Sequence, residues 1–248
     1  MLNAILYSKA KTLEEEDGTR IPWSNLFREN EDLVTATIFE RLSYLPGPLS
    51  WEILCRTFHL SLPHYRVARL DRIEFWPSWE RTEYKGRVEP DLFLSYLLGE
   101  PEQRIDLIVE AKHEGAQYAQ QWVSQQRACL AAEADEITPD ARIYAAIGGL
   151  GRHVMDRLEP LRDEVAENAP ECAEAFTMVG ADWRDLAAAL ADAAPKASGE
   201  HARVLEDAIE ALSLFGYRTI NLPDTLLHLT GITDAEQSLR QLQEDIRE

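Results

Sequence analysis

The chain has 248 residues, 45% hydrophobic and 28% charged, and its 25 Lys and Arg face 44 Asp and Glu for a formal net charge of −19. That length and apolar fraction suit one globular domain of generous size and exclude collagen, coiled coil or disorder as descriptions of the whole. The acidity excludes a protein that coats nucleic acid by bulk electrostatics, because phosphate binding needs local cations.

Residues 1–28 are mixed in composition, with an acidic turn at 14–17 and Gly18, and carry no assigned element. From Asn30 the run ENEDLVTATIFERLSYL sets Leu33, Ile38, Leu42 and Leu45 at helical spacing behind first-turn acids, and Pro46-Gly47-Pro48 ends it. A second short helix is expected over 50–58. The period then changes. Residues 72–79 carry Ile73, Phe75 and a Trp76-Pro77-Ser78-Trp79 kink, while 89–98 and 104–112 are apolar runs of strand length separated by Gly99-Glu100-Pro101. A helix in GAQYAQQWVSQQRACLAAEAD and a strand over 141–150 follow, an order that suits a crossover onto a mixed sheet. Next come a helix over 153–168, a strand over 175–179 and a helix from Asp182, its N-cap, to about Ala193. Residues 195–199 read as a linker, followed by a helix over 200–214, an irregular segment with Gly216 and Pro223, and a polar helix from Thr233. The expected architecture is α/β, with an unassigned segment over 1–28, a main domain over 29–195 and a helical C-terminal appendage over 196–248.

Cys55, Cys129 and Cys172 lie far apart. They form neither a disulfide framework nor a zinc spacing, so a cytoplasmic location is expected. No run reaches the roughly 18 apolar residues of a membrane span, and the N-terminus is too soon acidic for a secretory signal. Charge is uneven along the chain. Residues 56–87 hold seven Arg or Lys against four Asp or Glu, whereas 156–210 hold five against fourteen.

The residues suited to chemistry sit on two adjacent expected strands. Asp91 follows Pro90 at the start of EPDLFLSYLL, and Glu110 and Lys112 close RIDLIVEAK. On a strand, i and i+2 share a face, so Glu110 and Lys112 project together, and a hairpin brings Asp91 to the same end. Two carboxylates and an ammonium at the rim of an apolar sheet need compensation, and a divalent cation supplies it. Mg²⁺ favours one or two carboxylates with substrate phosphate and water. The plain alternative is a set of strand-end charges in a weak ion pair.

The EPD motif, 18 residues and then EAK resemble the signature of the PD-(D/E)XK nuclease superfamily. The resemblance covers about 29–183 and implies a restriction-endonuclease-like core, a mixed central sheet flanked by helices. It also implies an acidic residue on the preceding helix, placed at Glu31, and a glutamine on the crossover helix, placed at Gln121 with Gln117, Gln120 and Gln125 as alternatives. ADWRDL is similar to the Trp-containing stretch that often closes such domains. The implied activity is metal-dependent hydrolysis of DNA phosphodiester bonds, in defence against foreign DNA or in repair. Glu31, Asp91 and Glu110 would hold Mg²⁺, which Mn²⁺ can replace, with Asp91, Glu110, Lys112 and Gln121 catalytic. Acids in a first helical turn also arise simply because they favour the dipole, which leaves Glu31 open.

Arg66, Arg69, Arg72, Lys85 and Arg87, interleaved with Tyr65, Phe75, Trp76, Trp79 and Tyr84, are the candidate nucleic-acid contacts. Their bland reading is pairing with Asp71, Glu74, Glu80 and Glu83 over a buried Phe75. A second functional reading is a catalytically silent nuclease-fold module that docks a basic protein partner through the acidic surface; the expected partners are DNA, such a basic protein or further copies of the chain in a homo-oligomer. The other candidates are bland. His113 reads as a loop edge, and His59, His64, His153, His201 and His228 show no ligand spacing. Gly148-Gly149-Leu150-Gly151 reads as a tight turn, Cys129 as packing, and AENAPECAE as solvated surface.

Overall fold

Asn30 starts the first well-built element: its side chain accepts a hydrogen bond from Leu33 N at 3.2 Å, capping a helix over Glu31–Ser43. The computed structural model describes residues 30–217 apart from 63–65, 83–84 and 134–136, together with residues 10, 12–14, 19–23 and 25. Tyr65, Glu83 and Tyr84, most of the turn at 14–17, the Pro223 segment and the helix from Thr233 lie outside the described residues. In chain order the strands are β1 (Thr12–Glu14), β2 (Arg20–Pro22), β3 (Ala68–Phe75), β4 (Trp79–Glu80), β5 (Arg87–Val88), β6 (Leu92–Leu98), β7 (Gln103–Ala111), β8 (Ala141–Ile147) and β9 (Thr177–Ala181). The helices are α1 (Glu31–Ser43), α2 (Gly47–Thr57), α3 (Ala119–Ala132), α4 (Val154–Asn168), α5 (Pro170–Ala175), α6 (Trp183–Ala193) and α7 (Gly199–Leu214).

The central sheet runs β3-β6-β7-β8-β9. Its first three strands are antiparallel and its last two pairings parallel, with α3 crossing from β7 to β8. The protein is therefore α/β, a mixed five-stranded sheet flanked by helices. β1 with β2, and β4 with β5, form two small antiparallel ribbons.

Helices cover both sheet faces, which is why β6 and β7 are apolar on both sides instead of alternating. Leu92, Leu94, Tyr96 and Leu98 of β6 and Ile105, Leu107 and Val109 of β7 share one core with α1, α2, α6 and α7. Phe93, Ile108, Tyr144 and Met178 share the other with Trp122 and Val123 of α3, Leu158 and Val165 of α4 and Cys172 of α5. One polar pair interrupts this pattern. Buried Ser95 and Asp106 face each other across β6 and β7, with Ser95 Oγ donating to Asp106 Oδ1 at 2.6 Å and Arg104 Nη2 at 2.7 Å from Oδ2.

Several boundaries differ from expectation, each for a local reason. Pro46-Gly47-Pro48 ends α1 but also begins α2, because a proline in the first helical turn lacks only an N–H that would be unpaired anyway. Inside AENAPECAE, expected as solvated surface, Pro170 starts α5, which buries Cys172. A six-residue helix is too short to display a period. α7, expected within a C-terminal appendage, buries Leu205, Ala208, Ala211 and Leu212 in the first core. It packs against α1 and α6, and Arg41 Nε lies 2.5 Å from Asp207 Oδ2. Asp182 caps α6 as expected, with Asp185 completing a capping box. Among the described residues no helix is long and apolar enough to cross a membrane.

Candidate active site

The carboxyl end of β7 sits in mid-sheet, between the end of β8 and the start of β6. Leu92 pairs with Val109, so Asp91 and Glu110 are brought side by side at this rim. Asp91 Oδ2 accepts from Ala111 N at 2.7 Å. Glu110 points into the layer of α3, where its carboxylate accepts three side-chain hydrogen bonds. Lys112 Nζ at 2.6 Å and Gln121 Nε2 at 2.7 Å reach Oε1, and Gln125 Nε2 at 2.7 Å reaches Oε2. Lys112 Nζ also donates to Glu31 Oε1 at 3.0 Å, while Glu31 Oε2 accepts from His113 N at 2.8 Å. The start of α1 is thus tied to the end of β7.

The amides are themselves oriented. Tyr144 donates its hydroxyl to Gln125 Oε1 at 2.5 Å, which turns Nε2 toward Glu110. Trp122 Nε1 donates to Gln117 Oε1 at 2.9 Å, so Gln117 Nε2 faces the carbonyls of Glu110 and Gly148, each at 3.2 Å. Behind the lysine, Trp183 Nε1 donates to Lys112 O at 3.0 Å. Gly148, at φ +71°, lies so close that a Cβ would stand 1.9 Å from that oxygen. The glycine run does form the turn from β8 to α4, and at Gly148 only glycine fits. Tyr217 closes this side. Its hydroxyl is 2.7 Å from His113 Nδ1, and its ring stacks on Trp183 with centroids 5.9 Å apart.

Electrostatics follow from burial. Loss of solvent and the neighbouring Glu110 carboxylate push Asp91 from 3.8 up to about 7. For Lys112, burial favours the neutral amine, but Glu110 and then Glu31 outweigh it, so its pKa is raised and it remains a cation. Tyr144, buried next to Glu110 and Asp91, is held well above the usual phenol range and stays a donor.

Five expected residues therefore gather here: Glu31, Asp91, Glu110, Lys112 and Gln121. Among the described residues no group of three or more His, Cys, Asp and Glu side chains is disposed to hold a metal ion. Glu31 and Glu110 are each engaged at both oxygens, with two and three bonds, and Asp91 accepts one at Oδ2. Gln120 is exposed. The sequence reading did not assign Tyr144, Trp122, Trp183 or Tyr217 to the site. The spacing of four from Gln121 to Gln125 was a usable signal, since i and i+4 share a helix face, whereas Gln117 lies ahead of the helix and reaches the site from the loop before it.

The basic stretch is dispersed. Arg69 pairs with Asp71 and Arg72 with Glu74, the latter at 2.6 Å, along the exposed edge strand β3, as the bland reading has it. Arg66 and Lys85 are exposed, and Phe75 packs partly buried against the first core. Arg87 lines a cleft of about 980 Å³ that also contains Gln117, Gln121 and Gln125.

Fold and site together describe an α/β protein with a carboxylate–lysine–glutamine cluster at the carboxyl end of a central strand. The chain is 30% identical over 222 residues to the uncharacterized protein PM0110 of Pasteurella multocida (strain Pm70), covering 88% of this chain and 81% of that protein, and it belongs to that protein's family. No family model matches the sequence, and no solved structure matches it.

Proposed function

We propose that this protein is a divalent-metal-dependent nuclease, with a restriction-endonuclease-like core, that hydrolyses phosphodiester bonds in DNA. The observation that carries the reading is convergence. Glu31, Glu110, Lys112 and Gln121 come from a helix start, a strand end and a crossover helix, and bonds of 2.6–3.0 Å join them, with Asp91 held alongside by Ala111 N.

The donor set fits Mg²⁺ or Mn²⁺. A carboxylate accepts about four hydrogen bonds. Glu110 uses three of these positions and Asp91 one, so both keep hard oxygen lone pairs for an ion that needs only one or two carboxylates. A bound ion would polarise the scissile phosphate and make a hydroxide accessible near neutral pH. Lys112 donates hydrogen bonds to the negative charge that builds on the phosphate oxygens, and because its pKa is raised it serves as a donor and not as a base. Glu31 holds Lys112 in place, and Gln121 and Gln125 fix the orientation of Glu110. Water adds to phosphorus as the P–O3′ bond breaks, which leaves 5′-phosphate and 3′-hydroxyl ends, as the family resemblance implies.

The test is Mg²⁺- or Mn²⁺-dependent cleavage of plasmid and single-stranded DNA by the purified full chain. Cleavage that disappears in Lys112→Ala and in Asp91→Ala is the expected result. No cleavage of either substrate with either ion sinks the reading. The near-saturation of Glu110 favours a second reading, a silent nuclease-fold module that binds a protein partner. Under it the protein cleaves nothing and captures a basic protein.

A further inference from the structure

The cleft that reaches Gln121 and Gln125, the amides that bond Glu110, extends beyond them. It runs along α3, with the β4–β5 ribbon on one side and α4 on the other. Through Gln120, Ser124 and Glu164 it meets a second groove of about 350 Å³ that extends to Arg127. From Tyr118 to Arg127 this is roughly 14 Å of helix. The charges along the main cleft balance: Arg81, Arg87 and Arg157 against Glu89, Asp156 and Glu164. A surface that grips duplex DNA works chiefly through phosphates and needs an excess of cations. Amides and a hydroxyl line this cleft instead, together with Tyr118, which is 63% exposed and without a ring contact among the described residues. Amide edges and an open aromatic face suit the edges and faces of unpaired bases.

We infer that this trough seats a single nucleic-acid strand, with a base stacked on Tyr118, base edges at Gln120 and Ser124, and backbone phosphates at Arg87 and Arg157. The inference deepens the nuclease reading and rests on it for the direction of the strand: the trough leads to Glu110 through Gln121. It assigns Tyr118, Gln120, Ser124 and Arg157 as substrate contacts. The balanced charge means few phosphates are held, so binding depends more on stacking than on salt.

The test is fluorescence anisotropy of the full chain with short labelled oligonucleotides in EDTA, where no cleavage occurs. The probes are one DNA sequence as single strand and as duplex, and the same sequence as single-stranded RNA. The single strand is expected to bind more tightly than the duplex, and the DNA and RNA arms identify which strand is preferred. Tyr118→Ala should weaken binding about tenfold, Tyr118→Phe should restore it, and Arg157→Gln should reduce the salt slope by about 0.7. Both positions are exposed, and the melting temperature verifies that the variants fold. Equal affinity for the duplex, no binding of either form, or unchanged affinity in both Tyr118→Ala and Arg157→Gln overturns the inference. A parallel Mn²⁺ cleavage assay separates the two proposals. Cleavage with variant-insensitive binding removes the trough and leaves the nuclease, whereas variant-sensitive binding without cleavage does the reverse.

Discussion

Lys112 Nζ lies 3.0 Å from Glu31 Oε1, a contact that spans 81 residues of sequence and fastens the first helix to the end of the central strand. The same ammonium is the only cation within 3 Å of Glu110 among the described residues. The lysine thus holds the fold together here, and the nuclease proposal gives it a second role, in chemistry, that mutation can separate from the first.

Lys112→Met should destabilise the protein by about 3–5 kcal/mol at neutral pH, because it leaves a buried Glu110 without its counter-charge. Chemical denaturation measures this. A change near zero would mean that the ion pair contributes nothing to folding.

Asp91→Asn should act with the opposite sign. The folded-state pKa of Asp91 is raised from 3.8 to about 7. The group's contribution is therefore fully present below pH 3.8 and is lost as pH rises through about 7, to a ceiling on the order of 4 kcal/mol. The asparagine does not ionise, so its melting temperature should match wild type near pH 4 and exceed it by several degrees at pH 8. A difference that stays constant across pH would show that Asp91 does not titrate in this window.

Much of this geometry was legible in the sequence. Asn30 and Asp182 announced their helices because capping is a local event. The hairpin placed Asp91 beside Glu110 because apolar runs of strand length were broken by a turn. Tyr144 and Trp122 were not legible as site residues, since inside an apolar strand or helix they read as core, and their hydroxyl and indole groups gain meaning only when Gln125 and Gln117 arrive across the layer. α7 was misplaced for a similar reason: the linker before it signalled a boundary, and only tertiary packing shows that Leu205 and Leu212 belong to the main core.

Divalent metal should raise the melting temperature at pH 8 and have little effect at pH 5.5, because an ion must displace the proton that Asp91 retains below about 7. Differential scanning fluorimetry with Mn²⁺ and with Mg²⁺ reads this directly. The shift should be absent in Asp91→Ala. An equal shift in that variant would place the ion elsewhere.

Tyr144→Phe should cost about 1–3 kcal/mol, since it strands Gln125 Oε1 in a buried position. In a double-mutant cycle with Gln125→Ala the two losses should fall well short of adding, because both break one connection. Additive losses would mean that the tyrosine does not act through the glutamine.

Gly148→Ala should fold poorly. The new methyl group would meet Lys112 O at 1.9 Å in a backbone of φ +71°, and shifting that carbonyl breaks the Trp183 hydrogen bond as well. Soluble expression and thermal melting test this, and a wild-type melting temperature would show that the turn can relax.

The pairing of Ser95 with Asp106 has a consequence for how the hairpin finds its alignment. If β6 slid along β7 by two residues, the faces would be preserved but Asp106 would sit opposite Phe93 or Leu97, a buried carboxylate against hydrocarbon. A slip of one would turn every leucine to the wrong layer. The polar pair thus works as a detent that leaves a single stable alignment among several that hydrophobicity alone would accept. Asp91 meets Glu110 at one end of the ladder because Ser95 meets Asp106 near its middle.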